Sequence, residues 1–341
     1  MKIDGHLITD LASVPARVRD LEALGYDGAV SVDTSHDPFL PLALAAEHSE
    51  RVDLLTNVAI ALARSPMTVA YTANDLQVLS RGRMILGLGS QIKPHVERRF
   101  SMAWSAPAPR MREFILALRT IWRAWNTGER LDFRGRFYQH TLMTPFFSPP
   151  PNPYGSPRVF LGALGDRMCE VAAETADGVL LHPFTTAGYV RDRQIPAVER
   201  GLARGERARE EFEIGISPFV VTGPDEQALE PVREATRMQI AFYGSTPAYR
   251  SVLEHHGWGE AQDELNSLSK RGRWTEMAGV ITEEILDAFT VQAPYDQVAA
   301  ALASRYAGLA DRMSFFSVWG DDRDAWRALL DGLRAAMTAS T

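Results

Sequence analysis

Cysteine occurs once in the 341 residues, at Cys169, and lysine only three times, at Lys2, Lys93 and Lys270. A single thiol excludes an internal disulfide and a cysteine metal cluster, and its helical surroundings suggest an inert, buried or half-buried side chain. Lys93 is the only lysine near the C-terminal end of a strand, so Schiff-base chemistry has little to work with. No apolar run approaches the ~20 residues of a membrane span, and the start, MKIDGHLITDLASV, lacks an apolar leader core and a small-residue cleavage site. A soluble cytoplasmic protein is therefore expected, with no membrane partner. The formal net charge is -7, and no basic tract or aromatic-basic stripe runs against it, which excludes a nucleic-acid-binding surface. H-x-x-x-H, HExxH and carboxylates at ligand spacing are all missing, so no metal site is expected, and His255-His256 falls in a surface insertion. Equally missing are the G-x-S-x-G elbow of esterases and the GxxxxGK[ST] phosphate loop.

What is present is ample core material, since 45% of the residues are apolar. Short apolar runs alternate with helical patterns, the mark of a parallel sheet buried on both faces. Strands are expected at Lys2–Ile8, Gly28–Val32, Val52–Ala61, Arg83–Leu88, Arg158–Gly162, Gly178–Leu181, Phe212–Val221 and Arg312–Val318. Between and after them come helices at Val14–Leu24, Pro38–His48, Pro66–Leu79, Arg110–Asn126, 166–176, 224–243 and Arg323–Thr338. Asp37 is placed to cap the second of these, ahead of Pro38. In Arg110–Asn126, Met111, Phe114, Ile115, Leu118, Ile121, Trp122 and Trp125 form one apolar stripe, available either to the core or to a second copy of the chain. Eight strands in this order favour an α/β fold of the closed (β/α)8 barrel (TIM barrel) type over an open doubly wound sheet. It would form a single domain over residues 1–341. Insertions follow strand four, at about 127–156, and strand seven, at about 244–290.

A barrel keeps its chemistry at the C-terminal ends of the strands. There the sequence offers His6 after strand one; Asp33, Thr34 and His36 after strand two; and Asn57 and Val58 within strand three. Strand four supplies Gly89, Ser90 and Gln91, with Lys93, Arg98 and Arg99 beyond them. Strand five leads into Gly162, Ala163, Leu164, Gly165, Asp166 and Arg167, and strand six ends at His182-Pro183. Gly162 and Gly165 bracket a turn that opens a helix. Free N–H groups and the positive dipole end there suit an anionic phosphate. Arg167, in the first helical turn, sits where the dipole disfavours a cation, which an adjacent anion would relieve.

Four segments, DGAVSVDTSHDPFLPLALAAE, LLTNVAIALARSPMTVA, RGRMILGLGSQIKPHVERRF and PRVFLGALGDRMCEVAAETADGVLLHP, resemble the luciferase-like monooxygenase superfamily, and most of all its branch using the deazaflavin coenzyme F420. The likeness spans nearly the whole chain. It implies a (β/α)8 barrel and hydride transfer between F420 and a small organic substrate. It also implies a non-proline cis peptide in strand three, matching Asn57–Val58 first and Thr56–Asn57 second. By the same likeness Asp33 and His36 lie near the ring as catalytic groups, although D-T-S-H departs from the usual spacing. His6, Asn57, Val58 and Gly89-Ser90-Gln91 would line the coenzyme. Gly162 to Asp166 would hold its phosphate, with Arg167 or Lys93 helping. Trp104, Phe137, Tyr138, Trp258 and Trp274 are candidates to wall the substrate. A homodimer or larger homo-oligomer is implied as well. The alternatives are an FMN-dependent monooxygenase using reduced flavin and oxygen, a non-catalytic flavin-binding barrel, and a cofactor-free lyase or hydrolase, the last disfavoured by the missing acid pair and metal set.

Overall fold

A computed structural model describes residues 1–7, 10–316 and 323–338. Eight parallel strands form a closed ring: β1 (Lys2–His6), β2 (Gly28–Ser31), β3 (Asp53–Thr56), β4 (Met84–Gly89), β5 (Arg158–Ala163), β6 (Gly178–Leu181), β7 (Glu213–Ile216) and β8 (Arg312–Ser314). The ring closes because β3 pairs with β4 on one side while β8 pairs with both β1 and β7 on the other. Each strand is followed by a covering helix: α1 (Val14–Leu24), α2 (Phe39–Glu47), α3 (Pro66–Leu79), α4 (Pro107–Thr127), α5 (Asp166–Thr175), α6 (Ile195–Arg204), α7 (Val298–Tyr306) and α8 (Arg323–Thr338). The closed barrel, and not the open sheet, is the architecture of the chain.

Three strands differ from their sequence outlines. The run Val52–Ala61 is broken at Asn57-Val58. Leu54 pairs with Met84, but Ala59 pairs with Leu88, so strand three carries one residue more than its neighbour, a bulge that re-aims the chain. The run Phe212–Val221 is cut at Pro218, which has no N–H for the ladder. Its second half, Phe219–Val221, pairs with Thr290–Gln292 and keeps only a bridge to Phe316 beyond the last barrel strand. The last strand stops at Ser314, and its expected end at Val318 lies outside the described residues, as does the end of strand one at Ile8.

The stripe on α4 is spent on the core: Met111, Phe114, Ile115, Leu118, Ile121, Trp122 and Trp125 are all buried in this chain. Residues 127–156 lie over α3 and α4. Asn152 donates from Nδ2 to Asn74 Oδ1 at 2.9 Å, and its N–H reaches Asn126 Oδ1 at 2.9 Å. Between β7 and α7, helices at Glu226–Gly244, Arg250–His255, Gly259–Lys270 and Glu283–Phe289 build a separate apolar cluster. At α2, Asp37 caps as expected, accepting the N–H of Phe39 at 2.9 Å. Among the described residues no helix is long and apolar enough to cross a membrane.

Inside the barrel, the N-terminal end is filled by charge. Arg312, 1% exposed, bonds Asp4 at 2.6 Å, Asp53 at 2.5 Å and Glu213 at 3.1 Å. Arg158 and Lys2 add further contacts to Asp53 and Glu213. Above this plug Val30, Leu55, Ile85, Phe160 and Leu180 form an apolar layer. The barrel is therefore closed below and in the middle, and only its C-terminal mouth remains for a ligand.

Replacing Arg312 by Met strands three carboxylates, one of them fully buried, and should cost about 3–5 kcal/mol in urea unfolding. Asp4 gives the plug a pH dependence. Burial, opposed by Arg312, pushes its carboxyl up to about 7. A folded-state value above the unfolded one means that Asp4 takes up a proton on folding. The stability so gained is complete below about pH 4 and is lost as pH rises through 7. Asp4→Asn should flatten this decline between pH 4 and 7 in denaturant midpoints measured across that range.

Candidate active site

The inward-facing residues of each strand can be followed upward from the apolar layer. Two positions past Val30, Ile85, Phe160 and Leu180 come Val32, Gly87, Gly162 and His182. The bond Asn57-Val58 is cis. Its Val58 side chain occupies space that two glycines, Gly89 on β4 and Gly162 on β5, leave open. A Cβ on Gly89 would lie 2.5 Å from Val58 Cγ2, and one on Gly162 would lie 3.1 Å from Cγ1. One on Gly87 would come within 1.8 Å of the Thr56 carbonyl oxygen. The Thr56 hydroxyl donates to the Gly87 carbonyl at 2.7 Å, holding the two strands at this approach. Asn57, Val58, Gly89 and Gly162 are thereby brought to one place at the mouth.

Arginines tie the neighbouring loops to this bulge. Asp33 Oδ2 accepts from Arg64 at 2.6 Å and from the Ile60 N–H at 3.0 Å. Arg64 also reaches Asp37 at 3.4 Å, and Arg99 donates to the Thr34 carbonyl. The loop carrying His36 is so fixed on both sides, at Thr34 and Asp37. The imidazole of His36 is exposed and has no hydrogen-bond partner among the described residues. Asp33 is instead consumed in holding the bulge. Gln91 has φ 58°, and its Oε1 accepts the N–H of Ile92 at 2.9 Å, so it is folded back on its own loop beside Ser90. Lys93 is exposed and pairs with Glu97 at 3.9 Å.

At the start of α5, Gly165 has open space where a Cβ would stand. Ala163 and Leu164 are buried, and the Leu164 carbonyl accepts from Gln194 Nε2 at 2.8 Å. Asp166 is paired with Arg193 at 2.7 Å, a cation at this helix start that the sequence reading overlooked. The local cost of Arg167 is met by Glu170 at 3.2 Å, one turn on, and the Arg167 side chain is 80% exposed. No external anion is needed to explain it.

Two histidines face the mouth as neutral rings. His6, at the end of β1, is pushed down to about 4 by burial and by Arg17, whose Nε donates to the His6 carbonyl at 3.1 Å. His182 is likewise pushed to about 4 by burial. Its N–H bonds Ala163, extending the strand by one residue, and its Nδ1 accepts the N–H of Phe184 at 3.0 Å. The sequence marks His182 only as a strand exit. The alternation Gly178, Leu180, His182 was the available signal that it points inward.

His182 belongs to an aromatic wall. Its ring centroid lies 5.0 Å from Tyr243 and 4.5 Å from Tyr249. Phe316 lies 6.2 Å from Tyr243. Phe184, Phe219 and Phe289 back this layer from within the core. Of the aromatic candidates from sequence, Trp274 packs on Phe242, at 6.3 Å, and both rings are exposed. Trp258 stacks on His256, Trp104 packs on the main core, and Tyr138 packs on Phe114 of α4 with Phe137 beside it. A hollow of about 740 Å³ opens elsewhere, in the insertion, lined by Glu260, Glu264 and Arg271 among others and by no barrel strand.

The model of the luciferase-like monooxygenase family matches residues 3–312. An uncharacterized protein of Mycobacterium tuberculosis is 52% identical over 313 residues, 92% of each chain. The 5,10-methylenetetrahydromethanopterin reductase of Archaeoglobus fulgidus is 28% identical over 243 residues, 69% of this chain and 67% of its own. Among solved structures, the coenzyme F420 dependent tetrahydromethanopterin reductase of Methanopyrus kandleri superposes with a TM-score of 0.79 at 18% identity, covering 99% of both chains. With an eight-stranded closed barrel, a bulged third strand and a family match over nearly its whole length, the chain belongs to the luciferase-like monooxygenase family.

Proposed function

We propose that the protein is an F420-dependent oxidoreductase that transfers hydride between the deazaflavin and a small organic substrate. The observation that carries this reading is the glycine-cleared surface at Gly89 and Gly162, with Val58 raised between them. A flat multi-ring molecule can lie against Val58, which larger side chains at 89 and 162 would push from its seat. The name of the Methanopyrus kandleri reductase supports F420 over FMN as the first coenzyme to test.

When bound, the coenzyme supplies a ring carbon that accepts or releases hydride. The chain's own residues do the rest. Val58 backs one ring face, and Gly165, with open space where a Cβ would stand, lets a phosphate approach the N-terminal N–H groups of α5. Arg193 brings a cation to that helix start through its contact with Asp166. His36, unpaired and held between two arginine-fixed points, takes or gives the proton at the substrate oxygen. Asp33 positions the bulge through Arg64 and Ile60, a change from the catalytic role that the sequence suggested. The neutral rings of His6 and His182 add no charge to the mouth. The protein in this way orients the reactants and keeps water from them.

Titration with F420 should give saturable quenching of its fluorescence, whereas tight FMN binding with no F420 affinity would reverse the coenzyme assignment. Gly165→Val, which adds a side chain in open space at the start of α5, should weaken F420 binding at least tenfold while leaving the thermal transition in place. His36→Ala should lower turnover by about 10²–10⁴ with F420 affinity unchanged, the range expected for losing a general acid or base. Unaltered turnover would remove His36 from the mechanism.

A further inference from the structure

The mouth has two chemically different halves. On the side of β2 to β5 are the bulge, the glycines and the arginine-bound loops. On the side of β6 to β8 stand His182, Tyr243, Tyr249 and Phe316, each only half-buried, in front of the fully buried rings Phe184, Phe219 and Phe289. The inner rings are sealed, so the outer four present the face that a ligand meets. If the coenzyme takes the glycine half, as proposed above, the aromatic half is left for the substrate.

Among the described residues, none of the arginine–ring contacts involves these four rings. The nearest arginine in sequence, Arg250, is turned away to Glu254 and Asp263, each at 2.6 Å. Burying a phosphate or carboxylate against such a wall would go uncompensated. The Tyr243 hydroxyl is already hydrogen-bonded to Gln239, and the His182 ring adds a polar group of fixed direction. Nδ1 of His182 already accepts the Phe184 N–H, so the neutral ring bears its proton on Nε2. That N–H has no hydrogen-bond partner among the described residues. Ring contacts with Tyr243 and Tyr249 hold the imidazole plane in place.

We infer that the substrate is an uncharged, apolar, ring-bearing alcohol or ketone, seated on Tyr243, Tyr249 and Phe316, whose oxygen accepts a hydrogen bond from Nε2–H of His182. This rests on the coenzyme reading above only in leaving the aromatic half to the substrate. His182 orients the oxygen, and the proton itself remains the business of His36.

The test uses protein loaded with F420, whose affinity is measured beforehand and reports on the coenzyme reading by itself. Binding of methyl 4-oxocyclohexanecarboxylate and of the free 4-oxocyclohexanecarboxylate anion is then followed by saturation-transfer NMR at pH 7. The ester should bind at least tenfold more tightly than the anion. His182→Phe keeps an aromatic ring but removes the donor. It should weaken the keto ester about tenfold while leaving methyl cyclohexanecarboxylate, which lacks the ketone, within twofold. His182→Gln, with an N–H of its own, should recover most of the loss. Equal or tighter binding of the anion, no detectable binding of the ester, or an unchanged ketone affinity in His182→Phe would each overturn the inference. Unaltered F420 affinity across these variants is expected, and its loss in His182→Phe would place that ring on the coenzyme instead.

Discussion

Everything at the mouth depends on how closely strand three approaches strand four. The Thr56 carbonyl lies where a side chain on Gly87 would have to begin, and the Thr56 hydroxyl fastens the approach to the Gly87 carbonyl. A larger residue at 87 would push the strands apart. With them apart, Val58 would no longer meet Gly89 and Gly162. The apolar, glycine-rich run Met84–Gly89 is therefore more than core filling. Its glycines are spaces reserved for the neighbouring backbone and for Val58, and the polar residues that follow begin where the barrel opens.

The opposite end of the barrel makes the complementary contribution. Arg312 gathers Asp4, Asp53 and Glu213 into a buried network, so the inner channel is blocked by charge that is already paired. Such a network is poor evidence for extra stability, because desolvation offsets much of the attraction. What it does provide is direction: strands whose lower ends must find Arg312 are fixed in register, and their upper ends are left free to vary. This is the division between a stabilising face and a chemical face that the barrel architecture permits.

The strand–helix rhythm was legible because buried parallel strands read as continuous apolar runs, and most element positions follow from that. The outlines failed where a local exception outweighed the pattern. Residues 52–61 remain apolar throughout, so nothing in their periodicity announces the extra residue at Asn57-Val58; only the family resemblance pointed there. Pro218 did announce a break, yet Phe219–Val221 is apolar enough to have been joined to the strand before it. Among candidate site residues, 33–36 and 89–91 could be grouped by strand ends alone, whereas 57–58 lay inside an expected strand. Arg64 was not legible as the clamp on Asp33, since its role depends on where the bulge directs it. Tyr243 and Tyr249 were hidden for a different reason. They come from the insertion after strand seven, and no local pattern tells which of its aromatic residues turn toward the barrel.

The two halves of the mouth are also held by different kinds of force, and this bears on how such a site can change. On the glycine half, hydrogen bonds and ion pairs with fixed geometry join three consecutive loops: Arg64 to Asp33, Ile60 to Asp33, and Arg99 to Thr34. A change in any one of these would disturb the others, because each leaves a polar group without its partner. The aromatic half is held by ring packing supplied by a helical insertion, where contacts are less directional and volume-conserving exchanges are tolerated. Substitutions there can reshape the substrate's surroundings while the bulge, the glycines and the helix start of α5 stay in place. On the proposed reading, the barrel can keep its coenzyme surface while its substrate surface changes, with His182 and its two tyrosines at the boundary between the part that must stay and the part that can vary.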